Sequence, residues 1–285
     1  MDPIRRLDGT GVIRDGVTVI GKGAFRGDIA LQSVVIPTSI RKIGLGAFLG
    51  CTSLTKVTIP EGVTVIGEEA FHGCTGLKRV SIPGSVKEIG HWAFCECTGL
   101  TELTIPGGVT EILAGTYWGC TGLAKITIPG SVNKIGPETF EDCTGLREVI
   151  ISMGVTEIDP HAFDGCTGLR RVTIPRSVKE IGKEAFQGCT SLTEVTIPGS
   201  VKKIAPCAFW ACSGLRRVIL PRHISLTIPG LRQSRLTIRG LPIPGLGESL
   251  LVIILGCQKS GLPRELIIII IETLVNINYK LLVAQ

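Results

Sequence analysis

Cysteine recurs at positions 51, 74, 97, 120, 143, 166, 189 and 212, always 23 residues apart and always three residues before a leucine. A thiol repeated in this way could hold a metal, form disulfides, attack a substrate or only fill space. Structural zinc needs four ligands converging on one point, whereas stacked copies of one position offer a line. Stacking brings Cα atoms to the roughly 5 Å a disulfide allows, but in-register side chains point the same way and keep their Cβ atoms near 5 Å rather than ~3.8 Å. The expectation is a buried, reduced thiol that behaves as a small apolar side chain.

Cys95 breaks the pattern by making Cys95-Glu96-Cys97, with His72 one interval before it and Trp118 one interval after. A thiol beside a histidine is a candidate reactive or metal-binding pair. The same column also holds Glu141, Asp164 and Gln187, and no third group completes a site, so an outward, tolerated variant is expected. The stretch GVTVIGKG, Gly16 to Gly23, nearly fits the phosphate-loop pattern, but Gly23 stands where a hydroxyl is needed and the middle residues keep the register of core positions. His91, His161 and His223 fall at unrelated offsets, and no nucleophile is matched with a base. These residues point to a non-enzymatic chain with no cofactor and no metal.

What must position all of these groups is the repeat itself. Leu31, Leu54, Leu77, Leu100, Leu123, Leu146, Leu169, Leu192 and Leu215 share the 23-residue interval without an insertion, and Phe25 to Phe209 keep it too, Tyr117 filling one place. The unit reads L-x-x-V-x-I-P-x-x-V-x-x-I-G-x-x-A-F-x-G-C-T-G. Its first part alternates apolar and polar residues as a half-buried strand does; Val57 and Ile59 point inward, Lys56 and Thr58 outward. Proline ends the strand because it has no N–H to give a ladder. A second apolar pair, such as Val63 and Ile66, returns to the core, and a Gly-rich turn closes the coil. One such coil cannot cover its own apolar residues; a stack at about 4.8 Å spacing buries them as continuous columns. The expected fold is a repeat solenoid with a parallel sheet and about nine to ten coils.

The outward columns of that sheet are the candidate recognition surface. One carries Lys56, Arg79, Glu102, Lys125, Glu148, Arg171, Glu194 and Arg217, with the sign alternating from Glu102 onward, so that neighbours can pair along the ladder. The other carries Thr58, Ser81, Thr104, Thr127, Thr173 and Thr196, interrupted by Ile150 and Ile219. Solenoids generally bind through a concave face of this kind, which makes a protein ligand the leading partner class. A hydroxyl array also suits carbohydrate, whereas the adjacent charges argue against ice. Trp118 and Trp210 share an outward column and Trp92 lies on the same turn-bearing side, making the three candidate edge anchors.

The 285 residues are 44% hydrophobic with only 5% aromatics, so the core must be aliphatic. Of the net charge of +6, residues 222–285 carry +4, seven Arg/Lys less three Glu, which leaves +2 for the rest and no basic footprint for nucleic acid. No apolar run reaches the ~18 residues of a membrane span, and the amino-terminal residues lack the apolar core of a signal peptide. After Pro221 the period fails. LTIPG at Leu226 and LTIRG at Leu236 imitate the strand, and the apolar run Leu266 to Ile271 suits a buried terminal cap. LPRELIIIIIETL, Leu262 to Leu274, faintly resembles the opening of an F-box helix, which implies docking to a ubiquitin-ligase adaptor.

The unit, as in LTEVTIPGSVKKIAPCAFWACSG from Leu192 to Gly214, closely resembles the BspA-like leucine-rich repeats of bacterial and protist proteins over residues 10–221. The resemblance implies a right-handed leucine-rich-repeat β-solenoid, binding of a ligand or host protein in the manner of a surface adhesin, and no catalytic residues. The expected division is a partial repeat or cap over 1–30, the repeat solenoid over 31–221, and a degenerate repeat with an apolar capping segment over 222–285. The amino-terminal sequence indicates a cytoplasmic protein and the resemblance a cell-surface one; a scaffold without a specific ligand is the alternative function. The oligomeric state is not legible.

Overall fold

A computed structural model describes residues 4–220 and 237–240. Among them there is no helix; the chain winds as a parallel-sheet β-solenoid of about nine turns. The main sheet is built from strands such as Lys56–Thr58, Arg79–Ser81, Lys125–Ile128 and Glu148–Ile151, each paired in parallel with the strand one repeat away. Two-residue strands such as Val65–Ile66 and Glu88–Ile89 form a second parallel sheet. The inward Val and Ile of both sheets, the leucines and the Phe column are buried as one continuous core. Successive aromatic rings stack nearly parallel, with centroids 4.9 Å apart at Phe25–Phe48 and 5.0 Å at Phe48–Phe71, which corrects the expectation of a purely aliphatic core: the few aromatics are concentrated in it at one ring per coil.

The third side of each coil is the turn around the A-F pair. Two positions four residues apart are left-handed in every turn, for example Trp92 at φ 57° with Glu96 at φ 55°, and Gly115 at 60° with Gly119 at 66°. The resulting backbone aims three N–H groups per coil at the following coil: Gly46, Phe48 and Gly50 donate to the carbonyls of Glu68, Ala70 and His72. The second sheet's flanking bonds run the opposite way, Thr64 and Gly67 donating to Arg41 and Ile43 of the preceding coil.

The main sheet is interrupted between Arg171–Thr173 and Glu194–Thr196, and one further step is irregular in both sheets. Both sheets are interrupted between the coil of Arg79–Ser81 and Glu88–Ile89 and the coil of Glu111–Ile112, where only a single bridge joins Arg79 to Glu102. The rings of Phe94 and Tyr117 are 5.7 Å apart, the widest spacing in the column. Leu103 stands there in a column that carries Val or Ile at each of the other coils from Val34 to Val218, and it is half-buried. Its unbranched Cβ suits a pleated strand less well, and its extra reach does not fit a slot packed for valine. On the turn side the Trp92 indole lies over Gly115, where a Cβ would collide with it.

At the amino-terminal edge, Ile4–Leu7 pairs antiparallel with Thr10–Ile13 through a two-residue Asp8-Gly9 turn, both at positive φ. Asp-Gly is a strong hairpin signal for that geometry. At the other end Thr237–Gly240, from the LTIRG stretch, pairs in parallel with Arg217–Leu220. Its register is 20 residues on, Arg217 facing Thr237, rather than 23. LTIPG, His223, the F-box-like stretch and the isoleucine run lie outside the described residues.

Candidate functional site

The cysteine column is buried to within 1% of full enclosure. The thiols are nevertheless more than filler, which corrects the apolar reading. Each donates to the carbonyl of the aromatic residue one coil and three residues earlier: Cys51 to Phe25 at 3.0 Å, Cys97 to Phe71 at 3.1 Å, Cys143 to Tyr117 at 3.2 Å. An uncharged S–H satisfies the second lone pair of a buried carbonyl while remaining small enough for the core. Burial pushes the thiols of Cys97, Cys120, Cys143, Cys166 and Cys189 up; Cys143 reaches about 12. They are unsuited to nucleophilic attack.

On the main sheet the predicted columns stand outward and in register. Lys56, Arg79, Glu102, Lys125, Arg171 and Glu194 are exposed and Glu148 and Arg217 half-buried; Thr58, Thr104, Thr127, Thr173 and Thr196 are exposed beside them. Sign alternation produces ion pairs at two steps, Lys125 Nζ to Glu148 Oε2 at 2.8 Å and Arg217 to Glu194 at 3.3 Å. The Lys125 ammonium holds the Glu148 carboxyl below its ordinary value. Lys56, Arg79 and Arg171 are in no ion pair among the described residues. The column thus carries five cations against three anions, a net of +2, with only part of its charge neutralised in place.

The turn side holds a cleft of about 440 Å³ at the irregular step. Trp92, Trp118, His72 and Cys95 line it, as do Glu96, Glu138, Glu141 and His161. Trp210, four repeats from Trp118, does not. The grouping brings His161, whose offset in the repeat is its own, into the same cleft as His72. Their two columns are three residues apart in the repeat, and the left-handed turn between them sets the columns side by side.

Within the cleft both histidines are engaged. His161 meets Asp164 at 3.0 Å and Glu184 at 3.1 Å through its two ring nitrogens, and His72 Nε2 lies 3.6 Å from Glu96. Cys95 Sγ is 3.9 Å from His72 Nε2, but the thiol is buried and pushed up to about 12 by that burial, with Glu96 and Glu69 adding to it. A protonated thiol flanked by carboxylates is a poor nucleophile. Burial and the neighbouring Asp164 hold the Glu141 carboxyl above its ordinary value. The described residues contain no group of three or more ligating side chains fit to hold a metal ion. No described helix is long and apolar enough to cross a membrane.

Comparison with known proteins places the repeat. The family model for the BspA type leucine rich repeat region matches in 6 copies over residues 18–147 and 133–230. A solved leucine-rich repeat protein of T. pallidum is 29% identical, with a TM-score of 0.53 over 65% of this chain and 83% of that one. A leucine-rich cell surface protein of Faecalibacterium prausnitzii A2-165 is 23% identical over 79% of this chain and 87% of its own, with a TM-score of 0.40. The pneumococcal vaccine antigen PcpA is 17% identical over 82% and 65%, with a TM-score of 0.46. The agreement in fold rests on the first of these. A search of the curated proteins returns no match.

Proposed function

The chain belongs to the BspA-type leucine-rich-repeat family, and from that premise we propose that it is a non-enzymatic recognition protein whose main-sheet face docks a protein partner. Leucine-rich-repeat proteins generally mediate protein interactions. The observation that carries the reading is the partly unneutralised charge of the outward column. Arg171 stands exposed between Glu148 and Glu194 without an ion pair, and Lys56 and Arg79 stand side by side as like charges. Like charges on adjacent strands are unfavourable for the sheet itself, so a partner bearing carboxylates would relieve them. The threonine column beside them supplies hydroxyls to the rim of such a contact. In this reading the Asp8-Gly9 hairpin caps the first coil.

The test is a triple reversal, Lys125→Glu, Arg171→Glu and Arg217→Glu, used as bait beside the wild-type chain in extracts of the native organism. A control carries Lys42→Glu and Lys203→Glu on the second sheet. Proteins kept by wild type and control but lost by the triple variant are expected. Retention of every wild-type partner by a folded triple variant overturns the proposal.

A further inference from the structure

The cleft at the irregular step lies on a different side of the coil from the main sheet and has its own chemistry. We propose that it is a binding site for an arginine side chain presented by a peptide segment of a partner protein. Four observations meet there. At this step alone both sheets are interrupted together and the ring column is at its widest, 5.7 Å, while Trp92, Phe94 and Glu96 still donate to Ala114, Thr116 and Trp118, so the two turns that line the cleft stay tied together. Trp92 and Trp118, from those two successive turns, each present a half-buried indole to the opening. Glu96, Glu138 and Glu141 bring three carboxylates to the same opening, and no lysine or arginine lines it. Its about 440 Å³ suits one long side chain rather than a folded surface.

Charge within the cleft is not balanced. His161 is engaged with Asp164 and Glu184, and His72 with Glu96, so neither histidine neutralises Glu138 or Glu141 by direct contact. Glu138 and Glu141 are in no ion pair among the described residues. Burial and the neighbouring Asp164 disfavour the charged form of Glu141, a cost that a cation seated beside it would offset. Of the cationic side chains, guanidinium answers this arrangement best: it stacks flat on an indole while its edge offers N–H groups to a carboxylate. An ammonium is a more strongly hydrated point charge and uses an aromatic wall less well.

Three peptides decide the matter on the full, unaltered chain: acetyl-Ala-Arg-Ala-amide, its citrulline counterpart, which keeps the shape without the charge, and its lysine counterpart. The chain has three tryptophans, all among the described residues, and their indole N–H signals are followed by nuclear magnetic resonance. The arginine peptide is expected to move the Trp92 and Trp118 signals saturably and leave Trp210 in place, with citrulline at least tenfold weaker and lysine several-fold weaker. The double variant Glu138→Gln/Glu141→Gln is expected to weaken arginine binding about tenfold. The main-sheet triple reversal is expected to bind as wild type does, which separates failure of this site from failure of the docking face. Equal binding of citrulline, equal or tighter binding of lysine, or a Trp210 shift matching the other two overturns the proposal, whether or not the double variant folds.

Discussion

The Cys143 thiol donates to the Tyr117 carbonyl at 3.2 Å, and that same oxygen accepts the Cys120 N–H at 3.3 Å. One carbonyl thus ties its own turn closed and ties the next coil onto it. Replacing Cys143 with alanine removes one of the two bonds and leaves a small void in a fully buried column. The expected loss is about 1–2 kcal/mol, with the remaining N–H limiting the damage to the carbonyl. Urea denaturation of Cys143→Ala checks it; an unchanged midpoint would show the thiol to be passive.

Alkaline pH should destabilise the stack steeply. Burial raises the thiols of Cys97, Cys120, Cys143, Cys166 and Cys189 above their ordinary value of 9.0, and the contact with the Cys51 thiol, with burial second, raises Cys74. A raised folded value means that the stabilisation is fully present below 9.0 and is lost as pH climbs toward the folded value, about 12 for Cys143. Over that window the unfolded chain releases protons that the folded chain retains. Each such thiol removes about 1.4 kcal/mol per pH unit. Denaturation midpoints at pH 8, 9 and 10 should fall with growing slope, and equal midpoints would refute the linkage.

Tyr117→Phe should stabilise the chain. The Tyr117 hydroxyl is buried and has no hydrogen-bond partner among the described residues, and burial pushes its ionisation well up. The ring already occupies a place that phenylalanine fills in the flanking coils. Removing an unsatisfied buried hydroxyl is worth roughly 1–2 kcal/mol. A melting temperature below wild type would mean that the oxygen has a role the geometry does not reveal.

Opposite substitutions at the left-handed positions should have opposite signs. Ala211 is exposed at φ 57°, and Gly73 occupies the equivalent position of an earlier turn at φ 66°. A Cβ at Gly73 would meet only the Gly50 backbone at ordinary contact distance, so conformation and not crowding sets its cost. The left-handed penalty for a side chain is about 1–2 kcal/mol, partly offset by the greater freedom of unfolded glycine. Ala211→Gly should therefore gain, and Gly73→Ala lose, a fraction of that amount. Shifts of the same sign in both melting curves would contradict the assignment.

The coil and its registers were legible because each column repeats one residue type at one interval: leucine at 54 and 77, phenylalanine at 48 and 71, cysteine at 51 and 74. Inward and outward positions of the main sheet followed from simple alternation, and Lys125 with Glu148 paired as the alternating signs implied. The thiol's hydrogen bond was not legible, because its acceptor is a backbone atom 26 residues earlier, one interval plus three. The cleft was hidden for a similar reason. Trp92 and His161 belong to one column and His72 and Trp118 to another, and only the left-handed turn brings columns three residues apart into contact. The hairpin had a visible signal in Asp8-Gly9, overshadowed by the repeat that follows it.

The two sets of inter-coil bonds described for the turn side and the second sheet run in opposite senses, Phe48 donating onward to Ala70 and Gly67 donating back to Ile43. In an α-helix all such bonds point one way and their dipoles sum to partial charges at the ends. Here they largely cancel along the stacking axis. Lengthening the stack by further coils would therefore build up no axial field, and its end faces would select what lies against them by pattern, donors along one rim and acceptors along the other, rather than by net charge.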